Sequence, residues 1–295
     1  MRSSSTGRRH TPIFPFQGFL GEWCRIQSVS KEDRGLDMLG DPSSSVAIEQ
    51  NSVSDEALAV QHAGYQEYAV QPTIDIAEKF NALCLKDKGL LYEDPYIQIG
   101  ITTQWKNHQG HLVLFLGNKN ARVPLESIQA VILPPSHLKV ELSLVSELIS
   151  PKAQIQCEFE VVNVSPSSDV AVLDFSYKFQ TYLVKILLRL PAVLNKFLYP
   201  IQVSDLEFFL TWRSLAGPPL RLQQLVRGVK PMSLLEMENL FDSLRMMVCP
   251  GLDPNPNNLI ASTTYYFEST GGMLCLVRIE TDPADRTQLR MTVAS

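Results

Sequence analysis

SDLEFFLTWRSLAGPP, Ser204 to Pro219, is the stretch at which the chain changes character. Ser204 followed three residues later by Glu207 is a capping box, so a helix is predicted to start there, and Gly217-Pro218-Pro219 ends it within about three turns. On a helical wheel at about 100° per residue, Phe208, Trp212 and Leu215 form one group, Leu206 and Leu210 another, and Phe209 lies between them. A helix resting on a sheet needs an apolar stripe of only about 100°. The surplus apolar arc therefore needs a second cover, either from the chain itself or from a partner.

Upstream, from about Lys86, the pattern is one of strands and turns. YIQIGITTQWK, HLVLFLGNK, SIQAVILPP, HLKVELSLV, AQIQCEFEVVNV, DVAVLDFSYKF and TYLVKILLRLP follow one another with turns at NHQG, LPPS and SPSSD. Alternation such as KVELSL and QIQCEFEV marks half-buried antiparallel strands, and their regular spacing without helical interruption predicts an immunoglobulin-like β-sandwich. Downstream, a second capping box, Ser233 with Glu236, predicts another helix, and LRLQQLV between them is read as one or two further helical turns. NNLIASTTYYFE, MLCLVRIE and QLRMTV then return to strands. Helices followed by an antiparallel sheet predict an α+β platform with the helices packed on one face of that sheet.

The expected organisation is thus a disordered linker at 1–80, a sandwich at 81–191 and a platform at 192–295. Residues 1–40 carry a charge of +2 and 41–80 one of −6, within a total of −5. The folded part is close to neutral, which argues against nucleic-acid binding, since that needs a basic surface. Five widely spaced cysteines, Cys24, Cys84, Cys157, Cys249 and Cys275, read as reduced intracellular thiols. No apolar run is long enough to span a membrane, so no direct membrane insertion is expected. The opening with Arg2, Arg8 and Arg9 is read as unstructured rather than as a transit peptide. Leu36 to Leu39, LDML, is a faint leucine–acid motif.

Candidate chemistry is sparse. His108 and His111 fall in or beside a predicted hairpin turn, where an i,i+3 pair on a strand points to opposite faces, so no metal is expected. No nucleophile, phosphate loop or dinucleotide motif is present, which argues against an enzyme and against a cofactor. More informative is MLCLVRIE, where Met273, Cys275, Val277 and Ile279 share one face. Arg278 and Glu280 share the other, with Arg290 of the next strand near them.

AVLNKFLYP, SDLEFFLTWRSLAGPP, GLDPNPNNLIASTTYYF and GGMLCLVRIETDPADRTQLRMTV, with KDKGLLYEDPYIQIGI and GHLVLFLGNKN upstream, resemble the C-terminal appendage of alpha-adaptin, in a plant-like form, over about 75–295. That family is a large subunit of the plasma-membrane clathrin adaptor. The resemblance implies a sandwich followed by a platform and a non-enzymatic role: recruiting endocytic accessory proteins through short linear motifs of the Asp-Pro-Phe and Asp-Pro-Trp type. It implies location in the cytoplasm, peripheral at clathrin-coated pits, among the clathrin coat machinery. Contact with other adaptor subunits would run only through a trunk that this sequence does not contain.

The same resemblance implies a platform site of Phe209, Trp212, Arg278, Glu280 and Arg290, and a sandwich site of Phe115, Gly117 and Gln154. Two departures stand out: Thr102 and Ala294 occupy positions that are basic in the animal family members. The sequence also stops where the family continues into a terminal helix. The appendage of another coat, of beta-adaptin or coatomer type, and a non-functional truncated fragment are the alternative readings.

Overall fold

The computed structural model describes residues 66–67 and 69–295, except 144, 219 and 270. The arginine-rich opening, Cys24, the LDML motif and most of the expected linker lie outside the described residues.

The first part consists of β1 (Gln66–Glu67), α1 (Ile76–Leu85), β2 (Lys88–Glu93), β3 (Ile97–Lys106), β4 (Gln109–Asn118), β5 (Leu125–Leu133), β6 (Leu138–Leu142), β7 (Leu148–Ile149), β8 (Gln154–Asn163), β9 (Val172–Phe179) and β10 (Tyr182–Arg189). Two five-stranded sheets face each other, in the orders β1-β10-β9-β5-β7 and β2-β3-β4-β8-β6. Their alternating inward residues, among them Ile99, Leu114, Phe159, Leu173 and Phe175, are buried, as period-two patterning requires. Asp94, fully buried, accepts hydrogen bonds from Tyr92 on one sheet at 3.0 Å and Tyr177 on the other at 2.6 Å.

α1 begins inside the stretch read as linker, and β1 pairs with β10 from within it. The helix was hidden because its inward surface is short: Asp75 caps it by accepting the amide of Glu78 at 2.9 Å, and only Phe80, Leu83 and Cys84 are buried.

After a short 3-10 turn (Leu194–Phe197) come β11 (Leu198–Pro200), α2 (Asp205–Ser214), β12 (Arg221–Arg227), α3 (Leu234–Ser243), β13 (Met247–Val248), β14 (Leu259–Tyr265), β15 (Met273–Thr281) and β16 (Gln288–Ala294). The strands form one antiparallel sheet in the order β11-β14-β15-β16-β12, with β13 paired to β14. Both predicted capping boxes are present.

Two expectations are corrected here. LRLQQLV is the edge strand β12, paired with β16 over its whole length, and not a helix. Leu222, Leu225 and Val226 match a helical i,i+3,i+4 spacing, but the open edge of β16 supplies ladder hydrogen bonds that outweigh so weak a local preference. The helices also do not share one face. Met237 and Phe241 of α3 join the core that holds Val277 and Ile279, whereas Phe208 of α2 packs in a separate cluster with Ile260, Leu276 and Ala294. Alternate residues of β15 point to opposite sides, so the two helices cover opposite faces.

Candidate peptide-binding site

Ser204 Oγ accepts the amide of Glu207 at 3.3 Å, and the Glu207 carboxylate accepts the Ser204 amide at 2.9 Å and hydroxyl at 2.7 Å. The backbone bond from Ser204, then its hydroxyl, hold the Glu207 carboxyl below the usual glutamate value. With that end secured, α2 directs Phe208 into the sheet, where it is 3% exposed. Burying such a ring contributes about 1.5–3 kcal/mol.

Trp212 stacks on Phe208 with centroids 5.3 Å apart and remains half-buried, while Phe209 meets Phe208 edge-on at 5.4 Å and is 45% exposed. Leu206 and Leu210 are 69% and 58% exposed. The three wheel groups of the sequence therefore occupy three environments: against the sheet, at its margin, and in solvent. Nothing among the described residues covers the last group.

Arg278, Glu280 and Arg290 stand on the same face of the sheet as α2. Glu280 is directly opposite Arg290 across the ladder. Arg278 Nε donates to Asp253 at 2.7 Å and its Nη1 lies 3.1 Å from Glu280; Arg290 reaches Glu280 at 3.8 Å. Asp253, whose side chain is 4% exposed, also accepts from the Asn255 amide and the Asn258 side chain. Burial alone would raise its carboxyl, but these hydrogen bonds and the Arg278 charge outweigh it and hold the group below the usual aspartate value. Arg278 thus anchors the GLDPNPNN loop as well as charging the face. Behind that loop lies a cavity of about 220 Å³ bounded by Leu234, Cys249, Asp253 and Pro256. Neither Phe209 nor Trp212 lines it.

Sequence reasoning missed Arg221, whose guanidinium carbon lies 4.3 Å over the Trp212 ring. Its reading as part of a helix removed it from consideration, since only the β12–β16 pairing brings it to this face.

On the sandwich, Phe115 and Gly117 of β4 and Gln154 of β8 share the outward side of one sheet. Gly117 is opposite Gln154 on one flank and Gln98 on the other, and Phe115 is opposite Gly100, which leaves its ring half-exposed. Thr102 faces Val113 two positions away. His108 lies in the β3–β4 turn, and His111 Nδ1 is 2.7 Å from Glu160. Cys84, Cys157, Cys249 and Cys275 are buried, and burial pushes the Cys157 thiol up to about 11, which suppresses thiolate reactivity.

A β-sandwich carrying a helix-flanked platform, with aromatic side chains left exposed beside arginines, defines a two-part appendage of the adaptor class. Residues 196–295 match the family model "Alpha adaptin AP2, C-terminal domain", and residues 87–185 match "Adaptin C-terminal domain". The chain belongs to the alpha-adaptin family, whose C-terminal region it carries.

It is 64% identical over 221 residues to the AP-2 complex subunits alpha-2 and alpha-1 of Arabidopsis thaliana, covering 75% of this chain and 22% of each of them. It is 31% identical over 224 residues to AP-2 complex subunit alpha-2 of Dictyostelium discoideum, covering 75% of this chain and 22% of that protein. The chain therefore spans about a fifth of the length of these relatives. The GAE domain of GGA2p from Saccharomyces cerevisiae aligns at 13% identity and a TM-score of 0.32 over 36% of this chain and 96% of that domain.

Proposed function

We propose that this chain is a clathrin-adaptor appendage that recruits endocytic accessory proteins by binding short acidic–aromatic motifs of the Asp-Pro-Phe and Asp-Pro-Trp type. It would act without catalysis, in the cytoplasm and at the periphery of plasma-membrane clathrin-coated pits. The observation that carries the reading is the uncovered apolar arc of α2 beside the arginine-bearing face of the sheet. A motif aromatic enters against Phe209 and Trp212, and the motif acid meets an arginine of this face through a charge-assisted hydrogen bond. Such peptides bury little area and lose conformational freedom on binding, so single motifs bind weakly and several per partner act through avidity. Phe115, Gly117 and Gln154 form a second, lateral site in the same reading, where Phe115 stays half-exposed opposite Gly100.

The test is a fluorescence-anisotropy titration of the full chain with a labelled Asp-Pro-Phe peptide, beside Trp212→Ala and Arg278→Ala variants that keep a native near-ultraviolet circular dichroism spectrum. Weak, saturable binding reduced about tenfold or more in each variant is expected. Absence of binding by the wild-type chain into the millimolar range would overturn the assignment.

A further inference from the structure

On the α2 face, Arg221 lies over the Trp212 ring with no carboxylate partner among the described residues. The ladder sets Leu276, Ala294 and Arg221 side by side on β15, β16 and β12, and Trp212 and Leu215 pack against the cluster that contains Leu276 and Ala294. Four arginines of the sheet, Arg221, Arg227, Arg278 and Arg290, share this face; Arg278 is neutralised by Asp253 and Glu280 and Arg290 by Glu280, and Arg227 is solvent-exposed. Arg221 forms no ion pair with a described residue. Its guanidinium rests on the Trp212 ring at 4.3 Å, while Nε and Nη2 are both shut off from solvent with no acceptor among the described residues.

Those two N–H groups lie along a single edge of the guanidinium, the edge a carboxylate engages with two parallel hydrogen bonds. Shielded donors without acceptors are unfavourable, so the side chain is held by the ring but unsatisfied at its edge. Ala294, fully buried and ending at a methyl group, leaves room for the long Arg221 side chain to lie inward across the ladder.

We propose that Arg221 is the specificity-determining residue of this groove, receiving the carboxylate of a peptide whose aromatic ring enters beside Trp212 and Phe209. The proposal rests on the reading of α2 as a peptide site and names the group that selects for acid. In the free chain the donor edge is covered, so engagement requires the guanidinium to turn outward from the ring. Because Arg221 sits directly on Trp212, the acid and the aromatic of the ligand must lie within about two or three residues of each other.

The experiment compares labelled Asp-Pro-Phe and Asn-Pro-Phe peptides on the full-length wild-type chain, Arg221→Gln and Arg221→Lys. The wild type should prefer the acidic peptide about tenfold. Arg221→Gln should bind both peptides at the level of the Asn peptide, and Arg221→Lys should recover only part of the preference, since an ammonium lacks the planar fork. If Arg221→Gln keeps the full preference, or the wild type binds both peptides equally, the Arg221 assignment fails and the groove reading stands. If the wild type binds neither, both fail.

Should Arg221→Gln lose its native spectrum, the Arg221 Nε–H resonance of the unmodified chain decides. A shift with the Asp peptide but not with the Asn peptide supports the proposal, and an unmoved resonance overturns it.

Discussion

Lys196 is 2% exposed, an unusual place for an ammonium group. Its Nζ donates to the Lys86 carbonyl at 2.9 Å and to Asp87 at 3.0 Å, and Arg245 donates to both oxygens of the same Asp87. Burial would raise the Asp87 carboxyl, but the charges and hydrogen bonds of Lys196 and Arg245 outweigh it and lower its pKa. A carboxylate with a depressed folded-state pKa contributes stability that is present above the ordinary aspartate value, about 3.9, and is lost as pH falls through the folded value. Denaturant melts at a series of pH values should therefore show that acid loss in the wild type and a smaller one in Asp87→Asn. At pH 7 that variant should be less stable by about 2 kcal/mol, below the usual cost of breaking a fully buried pair because Asp87 is half exposed. Equal stability of the two proteins at pH 7 would show that Lys196 needs no counter-charge. None of this was legible in AVLNKFLYP, where a lysine among apolar residues looks solvated until its neighbours from sequence positions far away are known.

α2 was legible almost to the residue because its signals are local. A capping box needs only four consecutive residues, and the aromatic spacing states which side turns inward. Ser204→Ala should cost about 1 kcal/mol. Because the first turn also holds Phe208 and Phe209, the same change should weaken binding of the Asp-Pro-Phe peptide. Chemical denaturation and the anisotropy titration check the two effects; unchanged stability would mean that the cap is redundant with packing. β12 was misread for the opposite reason. Its strand state depends on β16, some 60 residues later in the chain, and its own spacing suits a helix equally well.

Across the whole molecule, sandwich and platform share one continuous core that runs from Leu83 through Phe197 to Val293. Trp105 meets Phe197 edge-on at 5.1 Å, and its ring fills the space that any side chain at Gly110 would need, so a glycine stands there. Asn163 Nδ2 donates to Tyr265 Oη at 2.8 Å and to the Tyr266 carbonyl at 2.9 Å, and Lys139 pairs with Glu268 at 2.7 Å. With apolar packing, polar bonds and the Lys196–Asp87–Arg245 group all crossing the junction, the two parts should unfold together. Scanning calorimetry of the full chain should show a single cooperative transition, and residues 192–295 expressed alone should lack a native near-ultraviolet spectrum. Two resolved transitions would show that the parts are thermodynamically independent.

Periodicity, caps and turn residues depend on neighbours a few positions apart, and these were readable without a structure: the sandwich strands, the two capped helices, the closing sheet and the surplus apolar arc of α2. What only the tertiary structure decided depends on pairing between distant segments. It placed β12 at the sheet edge, put the helices on opposite faces, and sent α1 into the region read as linker. It also tied Arg278 to Asp253 and carried Arg221 onto Trp212. The physical reason is that hydrogen-bond ladders and desolvated charges take their energy from partners that sequence distance does not reveal, whereas an amphipathic helix states its own buried side.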